Sequence, residues 1–163
     1  MRLVSLALLM VCLLPGLAPG GSGTGQNAWI QEAEVFLTEL FTVDGHAEEI
    51  PMERRAAYLE ERFGSFCEEE MLDSLMDMRL PFSIMQQAAE QGFDLSVADV
   101  ALEVHEPVNE EADIKMNYRV SARRESFSGD SQETEITGRL TLDRDDGRIQ
   151  SIRVDNLDKL LEE

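Results

Sequence analysis

The chain has 163 residues, with 33 Asp and Glu against 14 Lys and Arg, a net charge of −19 and a hydrophobic share of 43%. That length favours one domain, and such an acidic balance excludes a phosphate-backbone reader, because nucleic-acid binding depends on cationic neutralisation. Seven Phe, eight Met and regularly spaced aliphatics also set it apart from acidic disordered chains, which lack the apolar surface to offset chain entropy.

Residues 1–20 read as an export signal. Arg2 supplies a short positive region, Leu3 to Leu14 form an apolar stretch interrupted only by Ser5, and Pro15-Gly16 precede the small residues Ala18 and Gly20. The stretch is shorter than the roughly 20 residues of a spanning helix, so cleavage near Gly20 and a secreted or extracytoplasmic product are expected; an uncleaved membrane anchor is the alternative. A lipoprotein reading through Cys12 lacks the small residue such signals place before the cysteine, since Val11 stands there. Cleavage removes only Arg2 among the charges and leaves −20, with Cys67 as the remaining thiol. One thiol cannot close an internal disulfide. Cys67 reads as a partly buried helix residue, and the three glutamates after it disfavour a thiolate. No Asn-x-Ser/Thr sequon occurs, which is compatible with a bacterial source.

Residues 21–25 read as a flexible linker and 26–163 as the folded domain. Asn27 can cap a first helix whose Trp29, Ala33, Phe36, Leu37, Leu40 and Phe41 share one face. Asp44-Gly45 breaks that period. Pro51 opens a second helix with Met52, Ala56, Leu59 and Phe63 inward, and Gly64 ends it. Ser65 with Glu68 forms a capping-box pattern for a third helix, carrying Met71, Leu72, Leu75 and Met76 inward. A short fourth follows Pro81, with Phe82, Met85 and Ala89, and stops at Gly92.

From Val97 the apolar period changes from about 3.6 to 2, the pattern of half-buried strands. Four are expected: Val100, Leu102 and Val104; Ile114, Met116, Tyr118, Val120 and Ala122; Ile136, Gly138, Leu140 and Leu142; Ile152 and Val154. The links, Pro107 to Glu111, Ser126 to Ser131 and Asp145-Asp146-Gly147, are short and turn-rich, so an antiparallel meander follows. Asp155 or Asn156 can cap a last turn bearing Leu157, Leu160 and Leu161. The fold class is therefore α+β, with N-terminal helices packed on one face of a curved four-stranded antiparallel sheet.

This order of helices and meander, over about 135 residues, resembles the NTF2-like, or SnoaL-like, cone-shaped α+β superfamily, and within it exported bacterial members of unknown role. Gly138 suits the bend that such a sheet needs. The resemblance implies that an enzyme of this kind would keep a carboxylate, histidine or tyrosine inside the cone, and that the sheet surface can form a homodimer.

Strand parity places Tyr118, Thr134 and Gln150 inward. Asp99, Glu103, His105, Lys115, Arg119, Arg123, Glu133, Glu135, Arg139 and Arg153 fall on the opposite parity, facing water or a partner. With no ionisable Asp, Glu, His, Lys or Arg inward, no catalytic residue is assigned; Tyr118 is the one group that could serve an isomerase, dehydratase or hydrolase. His46 and His105 lie far apart with no nucleophile beside them, and no glycine-rich phosphate loop occurs. Glu69, Asp73 and Asp77 recur every four residues but read as a solvated stripe, and Asp143 to Gly147 read as a hairpin turn rather than a calcium loop, so no metal and no cofactor is expected. Tyr118, Met116 and Thr134 could line a small apolar ligand site, and Met52, Met71, Met76, Met78 and Met85 could deform around one. Lys115, Arg119, Arg123, Arg139 and Arg153, interleaved with glutamates, are the candidate interaction face for a protein partner. Residues 26–92 carry −11, which repels anionic membranes and polymers.

Overall fold

The computed structural model describes residues 23–105 and 113–158. Helix α1 spans Gly23–Phe41, followed by a 3-10 turn at Met52–Arg54, α2 at Arg55–Phe63, α3 at Glu69–Met78 and α4 at Leu80–Gln91. Strands β1 (Phe93–Val104), β2 (Ile114–Ser126), β3 (Ser131–Leu142) and β4 (Ile149–Val154) then form one antiparallel sheet in the order β1-β2-β3-β4. This is the expected α+β meander. The expected export signal, Pro107 to Glu111, Leu160 and Leu161 lie outside the described residues.

The sheet's inner face and the helices share one core. From α1 come Ala33, Phe36, Leu37, Leu40 and Phe41, and from β2 come Ile114, Met116, Tyr118, Val120 and Ala122, all buried. The Phe36 and Phe63 rings meet edge to face at 5.6 Å, locking α1 to α2 in the arrangement that aromatic quadrupoles favour. The described residues place no charged side chain in this core.

Several helix boundaries differ from the sequence expectation. Helix α1 begins at Gly23, ahead of the expected cap at Asn27. The 3-10 turn after Pro51 rotates the chain before α2 begins, leaving Met52 70% exposed and Ala56 exposed, while Leu59 and Phe63 pack inward as expected. The capping box does not form: α3 is capped at Glu68, whose φ of −70° and ψ of 157° are extended, without a side-chain cap bond. Residues 65–67 are instead spent on a link to the sheet, where Glu68 N donates to Ile149 O at 3.1 Å and Ile149 N to Phe66 O at 2.8 Å. Cys67 sits in that link rather than in a helix, fully buried. In α4 the buried residues are Leu80, Pro81, Phe82, Ile84 and Ala88; Met85 is half-buried and Ala89 exposed. Gly92, at φ 70°, ends it as a left-handed cap.

Strand β1 starts at Phe93, earlier than expected. A bulge between Val97 and Asp99 resets its alternation, so that Phe93 and Leu95 before it and Val100, Leu102 and Val104 after it all face inward. Both sheet edges are blunted by single loop residues: Val43 exchanges backbone bonds of 2.8 and 2.9 Å with Leu95 on β1, and Cys67 bridges Ile149 on β4.

Candidate functional site

The register of β2 and β3 separates the two faces of the sheet. Tyr118 pairs with Gly138, and a Cβ added at Gly138 would collide with the Tyr118 ring and with Arg153 O. Glycine therefore leaves room for the ring to lie across β3, and the Tyr118 hydroxyl donates to Arg153 O at 3.1 Å. Burial, with the Asp155 carboxylate nearby, pushes its pKa well above the ordinary tyrosine value. A phenol so placed is a satisfied core group that strengthens the β2–β4 contact. Met116, 1% exposed, is packed beside it, and Thr134 is half-buried opposite Ala122. Gln150 donates to Glu68 Oε1 at 3.2 Å and to Asp143 Oδ2 at 3.0 Å, tying α3 to the β3–β4 turn.

The outer face has a different chemistry. Asp99, Glu103, His105, Lys115, Arg119, Arg123, Glu133, Glu135, Arg139 and Arg153 are all exposed there, as parity predicts. Arg123 and Glu133 stand directly opposite at 3.6 Å, and Arg119 reaches diagonally to Glu135 at 3.3 Å. Arg139 and Arg153 also stand opposite one another, a like-charge pair, and Arg153 turns away to Asp155 at 2.8 Å. Among the described residues, Lys115 and Arg139 make no ion pair. Three short residues, Ala101, Asn117 and Thr137, lie between longer ones, and a groove of about 430 Å³ opens there, walled by Glu103, Arg119, Arg139 and Asp155. Asn156 supports one end: its side chain accepts from Thr137 N at 2.8 Å and donates to Glu135 O at 2.7 Å, extending the ladder beyond β4.

The remaining candidates lie apart. His46 stacks on Phe127 at 3.8 Å, far in sequence and contact from His105 at the end of β1. Glu69, Asp73 and Asp77 are exposed along α3. Asp143 Oδ1 accepts the amides of Asp145 at 2.6 Å and Asp146 at 3.2 Å, and Gly147 turns at φ 76°, which is hairpin geometry. The methionines do not converge on one pocket: Met85 lines a hollow against Phe82, whereas Met71 and Met78 line another beside Ile152. Burial raises the Cys67 thiol to about 12, opposed in part by Arg148, so it remains protonated.

No family model matches the chain, and no curated protein matches it. Solved structures do. The periplasmic domain of DotI is similar with a TM-score of 0.52 at 14% identity, over 83% of this chain and 99% of that one. TraH from the Gram-positive conjugative plasmid pIP501 is similar at 10% identity and a TM-score of 0.49, over 83% and 97% of the two chains. A periplasmic fragment of TraM is similar at 11% identity and a TM-score of 0.47, over 82% and 99%. At such identities the likeness is one of fold.

Proposed function

We propose that this chain is an exported, non-catalytic domain of NTF2-like type that binds a partner protein through the outer face of its sheet. The observation that carries this reading is the division of the strands: the charged strand residues named above are exposed on the outer face, with Glu103, Arg119 and Arg139 around a groove, while the inner face is closed by apolar packing apart from Arg124, which lies 4.0 Å over the Phe93 ring at one edge. Such a mixed-charge surface gives a partner orientation and selectivity through paired potentials. The N-terminal signal pattern supports export, and the occurrence of this fold in a periplasmic domain, that of DotI, agrees with that compartment. No described helix is long and apolar enough to cross a membrane.

A protein partner is favoured over a small apolar ligand at Tyr118, Met116 and Thr134, because the Tyr118 hydroxyl is already engaged and Met116 is packed. The assembly that the resemblance implies is a homodimer through this face. Sedimentation equilibrium of the full chain and of Arg119→Glu/Arg139→Glu tests it. Twice the mass of one chain, reduced to a single chain by the double reversal, is the expected result. A dimer indifferent to the reversal would place the contact elsewhere.

A further inference from the structure

The loop between α1 and α2 folds back over α4 and leaves a small notch, on elements that the sheet-face reading does not use. Phe82, Met85 and Ala89 form its floor on α4, and Ile50 and Ala47 close it from the loop, around a volume of about 170 Å³. That space is well below the ~300 Å³ at which pockets for whole small molecules begin, and it suits one bulky apolar side chain. Met85, unbranched and half-buried, can adapt to the chain that enters.

The rim is acidic. Glu48, Glu49 and Glu90 stand around the opening, with Arg55 as the one cation of the notch lining. Arg55 is already committed: it lies 4.8 Å over the Phe82 ring, donates to Ile50 O at 3.2 Å and pairs with Glu49 at 3.3 Å. Its role is to hold the loop against α4, which keeps the notch formed. Glu48 makes no ion pair among the described residues, and Glu90 accepts only from the neutral Gln86, at 2.7 Å. A second hollow of about 260 Å³ shares Glu48, Glu49 and Ile50 and adds Tyr58 and Glu61, with Arg54 as its cation. Both openings lie within the segment 26–92, whose net charge is −11, so the field of the whole half attracts cations to them.

We infer that this notch captures a bulky apolar side chain of a basic peptide segment, with flanking Lys or Arg residues paired to Glu48 and Glu90. The apolar floor supplies the anchor and the carboxylate rim supplies selection for cationic neighbours. A second copy of this chain is disfavoured as occupant, because its helical half is as acidic as the notch.

The probe is a blocked peptide, Gly-Lys-Lys-Leu-Lys-Lys-Gly, titrated into the full chain and followed by methyl resonances of Ala47, Ile50, Met85 and Ala89. Saturable shifts confined to those groups are expected. Replacing the peptide's Leu by Ala should weaken binding about tenfold or more, as loss of a buried side chain predicts. Ala89→Trp, which fills the notch from an exposed position, should do the same. Glu48→Gln with Glu90→Gln should weaken binding severalfold and flatten its dependence on salt. Absence of saturable shifts, binding unaltered by both the Ala89 and the Glu48/Glu90 changes, or equal binding of a peptide with Glu in place of Lys would overturn the assignment.

Discussion

Gly138 and Tyr118 show how the lack of one side chain makes room for another. Because a Cβ at Gly138 would meet both the Tyr118 ring and Arg153 O, any side chain there must displace one strand or expel the ring. Gly138→Val is expected to destabilise the fold by about 2 to 4 kcal/mol, as overpacking against backbone does, read as a lower denaturation midpoint with unchanged slope. Tyr118→Phe is a milder change that leaves Arg153 O without its 3.1 Å donor. It should cost about 1 kcal/mol and leave partner binding intact; loss of a measured turnover in that variant would instead revive a catalytic tyrosine. Cys67 makes a third residue-scale prediction. Burial raises its pKa from 9.0 to about 12, so the folded state holds its proton more tightly than the unfolded chain does. The stabilisation from this group is complete below pH 9 and declines as pH rises towards 12. At pH 8, alkylation of Cys67 should therefore proceed only through unfolding, and its rate should follow the unfolding rate measured independently. Rapid labelling of the native protein would contradict the buried placement.

At the scale of elements, the join between α3 and α4 is the strained one. Arg79 has φ 53°, the only non-glycine with positive φ among the described residues, and it serves as C-cap of α3 and N-cap of α4 at once. Arg79→Gly is expected to raise stability by roughly 0.5 to 1 kcal/mol, seen as an upward shift of the thermal midpoint, because glycine adopts that region without a Cβ penalty. The strands were more legible in the sequence than the helices. A period of two needs only a few residues to show, and β2 and β3 carry unbroken apolar alternation from Ile114 to Ala122 and from Ile136 to Leu142. The bulge in β1 hid its first half, since Phe93, Leu95 and Val97 keep the period but fall out of phase with Val100 to Val104. Helix starts were less legible because tertiary links compete with local capping: Ser65 and Glu68 look like a capping box, yet the backbone of that segment bonds to β4. Of the candidate site, the outward charges could be read by parity alone. The notch between the 47–50 loop and α4 could not, because no sequence pattern brings a loop onto a helix more than thirty residues away.

The whole molecule is governed by its charge. At −19 it carries few described ion pairs, and those between β2 and β3 are more than half exposed, as with Arg119 and Glu135 at 64% and 57%. Self-repulsion should dominate over such pairs, so the thermal midpoint is expected to rise as ionic strength is raised from about 10 to 300 mM. A falling midpoint would mean that the surface pairs matter more than the net charge. The domain's architecture assigns separate tasks to its two sides: an apolar interior joins helices to sheet, the outer sheet face presents ordered charges, and the helical half presents an acidic surface with a small apolar notch. The most direct measurement of the central claim is site-specific photo-cross-linking in the producing cell, with the photoreactive residue placed in turn at Asn117, at Thr137 and, for comparison, at Asp73 on α3. Cross-linked species of defined mass from Asn117 and Thr137 but not from Asp73, abolished by Arg119→Glu/Arg139→Glu, are the predicted result. Cross-links from Asp73 alone, or none from the sheet positions, would contradict a binding role for the outer face.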